Sequence, residues 1–218
     1  MGRRFELIVF DWDGTLMDST GAIVASIQAA ARDLGIAPPS DERASHIIGL
    51  GLIDALRHAL PDLPIERYQA VAERYRHHFL SRDQDLLLFR GAAELVDELV
   101  AAGYMLAVAT GKTRKGLDRA FEVSGLGPRF HASRCADECQ SKPHPQMLEE
   151  LMAEFGVEPG VTLMIGDTTH DLQMARNAGA AALGVAYGAH PRETLEALDP
   201  LYCAADVAEL AAWLRQQV

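Results

Sequence analysis

The chain has 218 residues, of which 49% are hydrophobic, so it holds enough apolar material for one domain with a modest insertion. Twenty basic residues against 31 acidic ones give a formal net charge of −11, and an acidic protein repels phosphate backbones, which excludes nucleic acid as a general partner. No apolar run approaches the roughly 20 residues of a membrane span, and three cysteines are too few for a disulfide framework. We therefore expect a cytoplasmic protein without a membrane partner.

Short apolar segments of strand length alternate with helical patterns along most of the chain. The predicted strands are 7–10, 105–109, 162–165 and 181–186, and the predicted helices are 92–102, 115–124, 145–155, 171–178 and 207–217. Apolar strands without polar alternation are typical of a parallel sheet covered on both faces. The alternation of strand and helix predicts a doubly wound, Rossmann-like α/β core.

The segment 18–86 interrupts this alternation. It has no convincing strand, and its apolar residues repeat at helical spacing: Ile23, Ile27 and Leu34, then Ile65, Tyr68, Ala72, Tyr75 and Phe79. We predict a helical cap at 18–86, inserted into a core formed by 1–17 and 87–218. The aromatic stripe is expected to form the cap's own core rather than a ligand surface.

Two acidic motifs follow predicted strands. Asp11 and Asp13 come after the first strand, and Asp167 follows a later strand, with Asp171 four residues beyond it. Ligands of open α/β sheets bind beyond the carboxyl ends of the strands, and paired carboxylates are costly there without a cation or a proton between them. Because no His and Cys cluster accompanies them, Mg²⁺ suits the site better than Zn²⁺. An alternative role for Asp171 is to cap the helix that follows.

Two further motifs carry groups that suit a phosphate. Thr110 and Gly111 end a predicted strand, where a hydroxyl and an open backbone N–H can cradle an anion. Lys142, one of three lysines in the chain, stands next to Pro143 in a loop just before a helix. Taken alone, the first motif is also compatible with an ordinary turn and the second with a solvated lysine. They indicate a phosphate site only in combination with the acidic motifs.

In their order along the chain, the four motifs resemble those of the haloacid dehalogenase superfamily of phosphohydrolases. The matches are DxDGT at Asp11–Thr15, the strand-end Thr110, the lysine of a Lys-Pro loop at Lys142, and GDxxxD at Asp167–Asp171. The resemblance spans the whole predicted core. The cap is similar to the C1-type cap of the phosphoglycolate phosphatase and β-phosphoglucomutase branch.

The resemblance implies a reaction and a metal site. Asp11 is expected to be the nucleophile that forms an aspartyl-phosphate, and Asp13 the general acid and then the general base. Mg²⁺ is expected at Asp11, the backbone carbonyl of Asp13 and Asp167, with Asp171 ordering metal-bound water.

The resemblance also implies a phosphate-binding set that consists of Trp12, Thr110, Gly111 and Lys142. Dehalogenase chemistry is excluded, because the dehalogenase relatives lack the acid that this chain has at Asp13. The cap is expected to close over the site, with hinges near Asp18 and 86–91.

The expected substrate is a small phosphorylated metabolite, with phosphoglycolate as the first choice, because residues 48–52 are similar to the Gly-Leu-rich cap loop of phosphoglycolate phosphatases. Arg57 could meet its carboxylate there, or could be solvated. Inorganic pyrophosphate and sugar phosphates remain alternatives. A β-phosphoglucomutase-type mutase, and a phosphate-ester binding module without catalysis, are disfavoured. The oligomeric state, monomer or homodimer, stays open.

Overall fold

The computed structural model describes residues 3–82 and 85–217. Within them, six parallel strands form a sheet in the order β3-β2-β1-β4-β5-β6. The strands are β1 (Leu7–Phe10), β2 (Met105–Thr110), β3 (Ala132–Cys135), β4 (Thr162–Gly166), β5 (Ala181–Val185) and β6 (Cys203–Ala204). The predicted doubly wound α/β fold is confirmed, with the first strand near the middle of the sheet.

The described residues form ten α-helices, of which four lie in the segment 18–86 and six follow it. The first group is α1 (Thr20–Asp33), α2 (Asp41–His46), α3 (Leu52–Ala59) and α4 (Tyr68–Leu80); the second is α5 (Ala92–Ala101), α6 (Arg114–Ser124), α7 (Gln146–Phe155), α8 (Thr169–Asn177), α9 (Arg192–Glu196) and α10 (Val207–Arg215). All five predicted core helices are present within two residues of their expected starts and ends.

The sequence pattern did not predict three elements of the sheet and its flanking helices, β3, β6 and α9. Strand β3 lies at the edge of the sheet and has a polar sequence. Its Arg134 forms ion pairs of 2.7 Å and 2.8 Å with Glu150 and Glu154. Strand β6 has two residues and α9 has five, so neither is long enough to show a period. Hydrogen bonding to neighbours, rather than a local apolar pattern, defines these elements.

Each face of the sheet has its own apolar core. One face packs side chains such as Ile8 and Phe10 against α5, α6 and α10, and the other packs Leu7 and Val9 against α7 and α8. Successive residues of β1 therefore contribute to opposite cores, as strand geometry requires. All four β1 residues have no exposed surface, which explains the continuous apolar run in the sequence.

Helices α1 to α4 share a separate apolar cluster that includes Ile27, Leu56, Tyr68 and Ala72. The expectation for the aromatic stripe holds only in part. Tyr68 is buried in this cluster, but Ile65 is 73% exposed. Tyr75 and Phe79 pack against the cluster and also line a cavity toward the sheet. The first part of the stripe therefore packs within the helical cluster, and the last two turns of α4 also contribute side chains to the cavity.

The chain passes between sheet and helical cap at two adjacent crossings. The Asp18 N–H donates to the Leu87 carbonyl (2.9 Å), and the Phe89 N–H donates to the Leu16 carbonyl (2.9 Å). These crossings coincide with the segments expected to act as hinges, a role that stays a prediction. In the described ranges, 3–82 and 85–217, no helix is both long and apolar enough to cross a bilayer.

Candidate active site

Sheet register brings the acidic motifs together. Phe10 of β1 is paired with Ile165 of β4, so the residues that follow these strands leave the sheet side by side. Carboxylate oxygens of Asp11, Asp167 and Asp171 lie within 4.8 Å of one another, and all three side chains are buried. The sequence prediction that separate strand ends place acids at one edge is therefore met for these three residues.

Helix α8 fixes the third acid. The helix begins at Thr169 with Thr168 as its N-cap, two residues earlier than predicted, and Asp171 completes a capping box. Asp171 Oδ2 accepts hydrogen bonds from the Thr168 hydroxyl (2.6 Å) and N–H (3.1 Å). The side chain of Asp171 thus has the structural role that the sequence left open, although Thr168, not Asp171, is the cap residue.

Lys142 is the cation of this cluster. Its Nζ lies 2.6 Å from Asp171 Oδ1 and 3.0 Å from Asp11 Oδ1, and the side chain is fully buried. Burial by itself lowers the pKa of this lysine, but the two carboxylates outweigh burial and raise the pKa to about 12. Lys142 is therefore charged at any physiological pH and partly balances the acids.

The acids are held in a state that a further cation would relieve. Burial, followed by the neighbouring carboxylates, raises the pKa of Asp11 well above its usual value, although Lys142 opposes the shift. Burial and Asp171 likewise raise the pKa of Asp167 to about 7. One positive charge faces three carboxylates, so removing their protons is unfavourable until more positive charge arrives.

A divalent metal ion fits this cluster. Asp11 Oδ2 is buried and has no hydrogen-bond partner among the described residues, although a buried carboxylate oxygen ordinarily has one. Its sister oxygen, Asp11 Oδ1, accepts from the Trp12 N–H (2.7 Å). An oxygen donor set without His or Cys suits Mg²⁺. The three acids could hold such an ion, with Asp11 Oδ2 as the oxygen that lacks any other partner.

The carboxylate of Asp13 is not part of the three-acid cluster. Its Oδ1 accepts from the Ser19 hydroxyl (2.6 Å), and its Oδ2 pairs with Lys112 Nζ (3.0 Å). Asp13 lines the same cavity as Asp11. The side chain therefore faces substrate space rather than the metal cluster, and only the backbone carbonyl of Asp13 is left for the expected metal role.

The expected phosphate-binding residues divide into two groups. Thr110 and Gly111 line the cavity beside Asp11, and Lys142 contacts Asp11 directly. Trp12 differs, because its side chain is buried against Phe121 and Phe130, away from this cavity. The backbone of Trp12 is therefore what remains for its expected role in substrate binding, which stays a prediction.

A close turn holds Asp167 in place. Asp167 Oδ1 accepts from the Thr15 hydroxyl (2.8 Å), and Oδ2 accepts from the Ala189 N–H (2.7 Å). Gly14 has φ of +78°, and a Cβ there would lie 2.1 Å from Asp167 Oδ2. Glycine is required at this position both by the backbone conformation and by the close approach of the carboxylate.

A cavity of about 860 Å³ lies between the strand ends and the cap. Asp11, Asp13 and Thr110 form its floor, and α1, α3 and α4 contribute the opposite wall. The volume is within the usual range of about 300–1,000 Å³ for small-molecule sites. The arrangement can therefore hold a small molecule with one end against Asp11 and the other against the cap.

The cap touches the sheet domain around this cavity. The Gly51 N–H donates to the Ser141 hydroxyl (2.8 Å). A Cβ on Gly111 would lie 2.6 Å from the carbonyl oxygens of both Gly49 and Leu50. The Gly-Leu-rich loop found in the sequence therefore lies directly against the turn at Thr110 and Gly111, and the space between them leaves no room for a side chain at Gly111.

Histidines make a second contact between the two parts. The His46 carbonyl at the end of α2 accepts from Nε2–H of His170 (2.8 Å) and of His190 (3.1 Å). His190 Nδ1 in turn accepts from the Thr169 N–H (3.0 Å), which fixes the proton on Nε2. This contact could not be predicted from the sequence, because the three histidines are far apart along the chain.

Two residues around Asp13 were not predicted from the sequence, and the two alternatives that it left open for Arg57 can be decided. Ser19 and Lys112 contact Asp13, and the only local signal for them was their nearness to the first and second motifs. Arg57 does not reach the cavity, because its exposed side chain pairs with Asp54 (3.2 Å). Arg57 is therefore a solvated residue of the cap surface and is not placed to bind a substrate carboxylate in the cavity.

The sequence also matches the profile of a known protein family. The sequence profile of haloacid dehalogenase-like hydrolases matches residues 8–185, a span that contains every motif described above. The chain belongs to this family.

Similar proteins carry the names of phosphatases. A probable phosphatase, IndB, from Dickeya dadantii is 39% identical over 201 residues, which cover 89% of this chain and 86% of that protein. A 5′-nucleotidase from Pseudomonas aeruginosa is 32% identical and covers 95% and 94%. The crystal structure of a predicted phosphoglycolate phosphatase from Haemophilus somnus is 25% identical, with a TM-score of 0.87 and coverage of 96% and 98%. This member of the haloacid dehalogenase-like hydrolases is therefore a phosphatase, a phosphoric monoester hydrolase.

Proposed function

We propose that this phosphatase is Mg²⁺-dependent and hydrolyses a small-molecule phosphate monoester through an aspartyl-phosphate on Asp11. The observation that carries the proposal is Asp11 Oδ2, a buried oxygen without a hydrogen-bond partner in the described residues. Asp11 lines the cavity, so this carboxylate is available both to a metal ion and to phosphorus. The charge balance of the cluster supports the need for a divalent cation.

The proposed reaction has two displacements at phosphorus. In the first, an Asp11 oxygen forms a bond to phosphorus while the bond to the ester oxygen breaks, and Asp13 gives its proton to the leaving alkoxide. In the second, Asp13 takes a proton from water, whose oxygen attacks phosphorus and releases Asp11 and inorganic phosphate. The hydrogen bond from Ser19 and the ion pair with Lys112 hold the Asp13 carboxylate toward the cavity.

The other residues bind and orient. Lys142 and Thr110 neutralise charge on, or donate hydrogen bonds to, the oxygens of the transferring phosphoryl group. Mg²⁺, when bound by Asp11, the Asp13 carbonyl and Asp167, supplies Lewis-acid polarisation of the phosphate and charge compensation. Asp171 positions Lys142 through the 2.6 Å ion pair, and the cap excludes bulk water from the acyl phosphate.

We rank the candidate substrates first by the sequence resemblance. On resemblance alone phosphoglycolate comes first, and one similar structure is named a predicted phosphoglycolate phosphatase. Sugar phosphates and nucleotides follow, the latter because a relative is named 5′-nucleotidase, and inorganic pyrophosphate remains an alternative. Mutase activity and binding without catalysis are last, because the residues for a complete hydrolytic cycle surround one cavity.

The experiment measures phosphate release from p-nitrophenyl phosphate and from phosphoglycolate, with Mg²⁺ and with a chelator in its place. We expect turnover with Mg²⁺ only, and a loss of turnover in Asp11→Asn of more than about 10³-fold while the far-UV circular dichroism is retained. Acid-quenched wild-type enzyme is expected to carry covalent phosphate, and Asp11→Asn none. Full activity of Asp11→Asn would contradict the covalent route, and no turnover of any phosphate ester would favour the binding module.

A further inference from the structure

The cavity is much larger than the phosphate needs. The reacting groups occupy its floor, where Asp11, Asp13 and Thr110 lie. A volume of about 860 Å³ is in the upper part of the range for small-molecule sites, and a two-carbon acid such as glycolate would leave most of it to water. The organic group of the substrate therefore has room to extend to the cap.

The cap surface above the floor is apolar. We call this surface the cap wall; it consists of Ile23, Ile27, Leu50, Leu52, Tyr75 and Phe79. Ile23 and Ile27 are one turn apart on α1, and Tyr75 and Phe79 are one turn apart on α4 with ring centroids 5.7 Å apart and planes at 20°. Two aromatic rings and four aliphatic side chains favour an uncharged partner with a flat face.

The cap offers little to hold a carboxylate. Among the described cap residues that line the cavity, Arg76 is the one with a charge, and it is exposed. Arg57 pairs with Asp54 outside the cavity, and residues 18–86 contain no lysine. Lys112 and Arg114 line the cavity from the sheet side, but they pair with Asp13 (3.0 Å) and Glu138 (2.8 Å). A small anionic organic group that contacts the cap wall would thus meet no buried cation there, at the cost of its hydration.

One polar group stands within the cap wall. The Tyr75 hydroxyl has no hydrogen-bond partner among the described residues, and burial followed by the charge of Asp13 raises the pKa of Tyr75 far above its usual value. Tyr75 lines the same cavity as Asp13. Its hydroxyl is a neutral donor that can bind an oxygen of the substrate close to the phosphate.

From this geometry we infer that the preferred substrate is a phosphate monoester whose organic group is uncharged and carries a ring, which packs against Phe79 and Tyr75. The inference rests on the proposed function and sharpens it, because it favours ring-bearing esters over phosphoglycolate. Phe79 and Tyr75 are then residues that determine specificity, and Asp11 and Asp13 keep their proposed roles.

The test compares kcat/KM of the full chain with Mg²⁺ for 2-phenylethyl phosphate, ethyl phosphate and phosphoglycolate. The two alkyl esters release primary alcohols of similar reactivity, so they differ chiefly in the ring. We expect the phenylethyl ester to be preferred over ethyl phosphate by about 10- to 100-fold, the factor that burial of one ring supplies. Phosphoglycolate is expected to be the poorest of the three.

A cap variant separates the ring contact from general damage. Phe79→Ala is expected to lower kcat/KM for the phenylethyl ester by about 10-fold, with a far smaller loss for ethyl phosphate, whose organic group is too short to reach the ring. Phe79→Leu repeats the test with most of the packing kept. The matched control is Ile65→Ala, a change at a cap residue that is 73% exposed, which should alter neither substrate.

Two outcomes would overturn the inference and leave the proposed function standing. One is equal kcat/KM for the two alkyl esters. The other is a preference for phosphoglycolate that Arg76→Ala removes, which would show that the exposed arginine recognises a carboxylate. Failure of all three esters, together with every other phosphate ester, would contradict the proposed function and this inference with it.

Discussion

The two walls of the cavity differ in chemistry and in how the chain builds them. The floor is polar and rigid: Asp11 and Asp167 follow central strands, and Lys142 connects Asp11 to Asp171. The cap wall is apolar, and its residues come from three helices and one loop that pack through a separate cluster. In the proposed function, the sheet holds the phosphate end of a substrate, and the cap meets the organic end.

The comparison supports our proposal that different parts of this fold carry the chemistry and the specificity. Register in the sheet fixes the distances between catalytic groups, because neighbouring parallel strands end together. Helix packing in the cap allows its side chains to change without moving the acids. Changes in the floor are therefore expected to affect every substrate, and changes in the cap wall only some.

The largest effect is expected from Asp13→Ala on alkyl phosphates. Removing the general acid should lower kcat for ethyl phosphate by about 10²–10⁴-fold, because an alkoxide leaves poorly without a proton. The loss for p-nitrophenyl phosphate should be much smaller, since a phenolate leaves unprotonated. Steady-state kinetics on both esters check this prediction, and Asp62→Ala, a change at an exposed acid away from the cavity, is the control.

Equal losses on the two esters would show that Asp13 does not donate the proton. Loss of Asp13 also removes the partner of Lys112 Nζ, so circular dichroism and a thermal melt are needed to exclude a change in cap packing. The outcome decides whether the floor supplies acid catalysis in addition to the nucleophile.

The second effect is expected from Lys142→Met, which keeps the length of the side chain and removes its charge. Asp11 and Asp171 would then face each other without their cation, and breaking a buried pair on one side typically costs about 3–5 kcal/mol of unfolding free energy. Activity should fall by about 10²–10³-fold on every ester. Urea unfolding and kinetics measure the two effects.

Arg176→Met is the matched control for Lys142→Met, because this cation is exposed on α8, the helix that carries Asp171. It should leave stability and turnover unchanged. If Lys142→Met were as stable and active as the wild type, the lysine would not be the counter-ion that the geometry indicates, and the electrostatic contrast between floor and cap wall would lose its main support.

A third prediction concerns Mg²⁺ and pH. The folded-state pKa values of Asp11 and Asp167 are raised, that of Asp167 to about 7, above an unfolded value of about 4. The folded metal-free protein therefore holds its protons more tightly than the unfolded chain, and its stability should fall as the pH rises from about 4 to about 7.

Mg²⁺ binds the deprotonated acids, so the stabilisation it gives should grow over the same pH window, to about 2.7 kcal/mol at 100 times its Kd. Thermal melts at pH 5 and pH 8, with Mg²⁺ or with a chelator, measure the difference. Asp11→Asn should lose most of the Mg²⁺ shift. A Mg²⁺ shift that is the same at both pH values would contradict the raised pKa values of the cluster.

The floor could be predicted from the sequence because its residues lie at the ends of short apolar strands, and parallel register does the rest. Asp11, Asp167 and Asp171 come together as expected, even though 156 positions separate the first two. The orientation of Trp12 could not be predicted, because a sequence motif does not tell whether the side chain or the backbone of a residue faces the ligand. In this structure the indole has turned into the core.

The cap wall could not be predicted in the same way. Helical spacing placed Tyr68, Tyr75 and Phe79 on one stripe, but spacing alone does not tell where the packing of the cap ends and the cavity begins. That boundary depends on how far α4 turns toward the sheet, which is a property of long-range packing. The pairing of Ser19 and Lys112 with Asp13 escaped for the same reason.

The smallest effect is expected where the two walls meet, at Lys112. Its Nζ lies 3.0 Å from Asp13 Oδ2 and 4.8 Å from the centroid of the Phe79 ring, so one cation contacts both the floor and the cap wall. A cation over an aromatic ring contributes about 0.5–1 kcal/mol at partly exposed sites. A double-mutant cycle with Lys112→Met and Phe79→Leu should therefore give a coupling energy of that size in urea unfolding. Because each single change keeps a long apolar side chain, additive effects would mean that the cap does not sense the charge beside Asp13, and the floor and the cap wall would then be energetically independent.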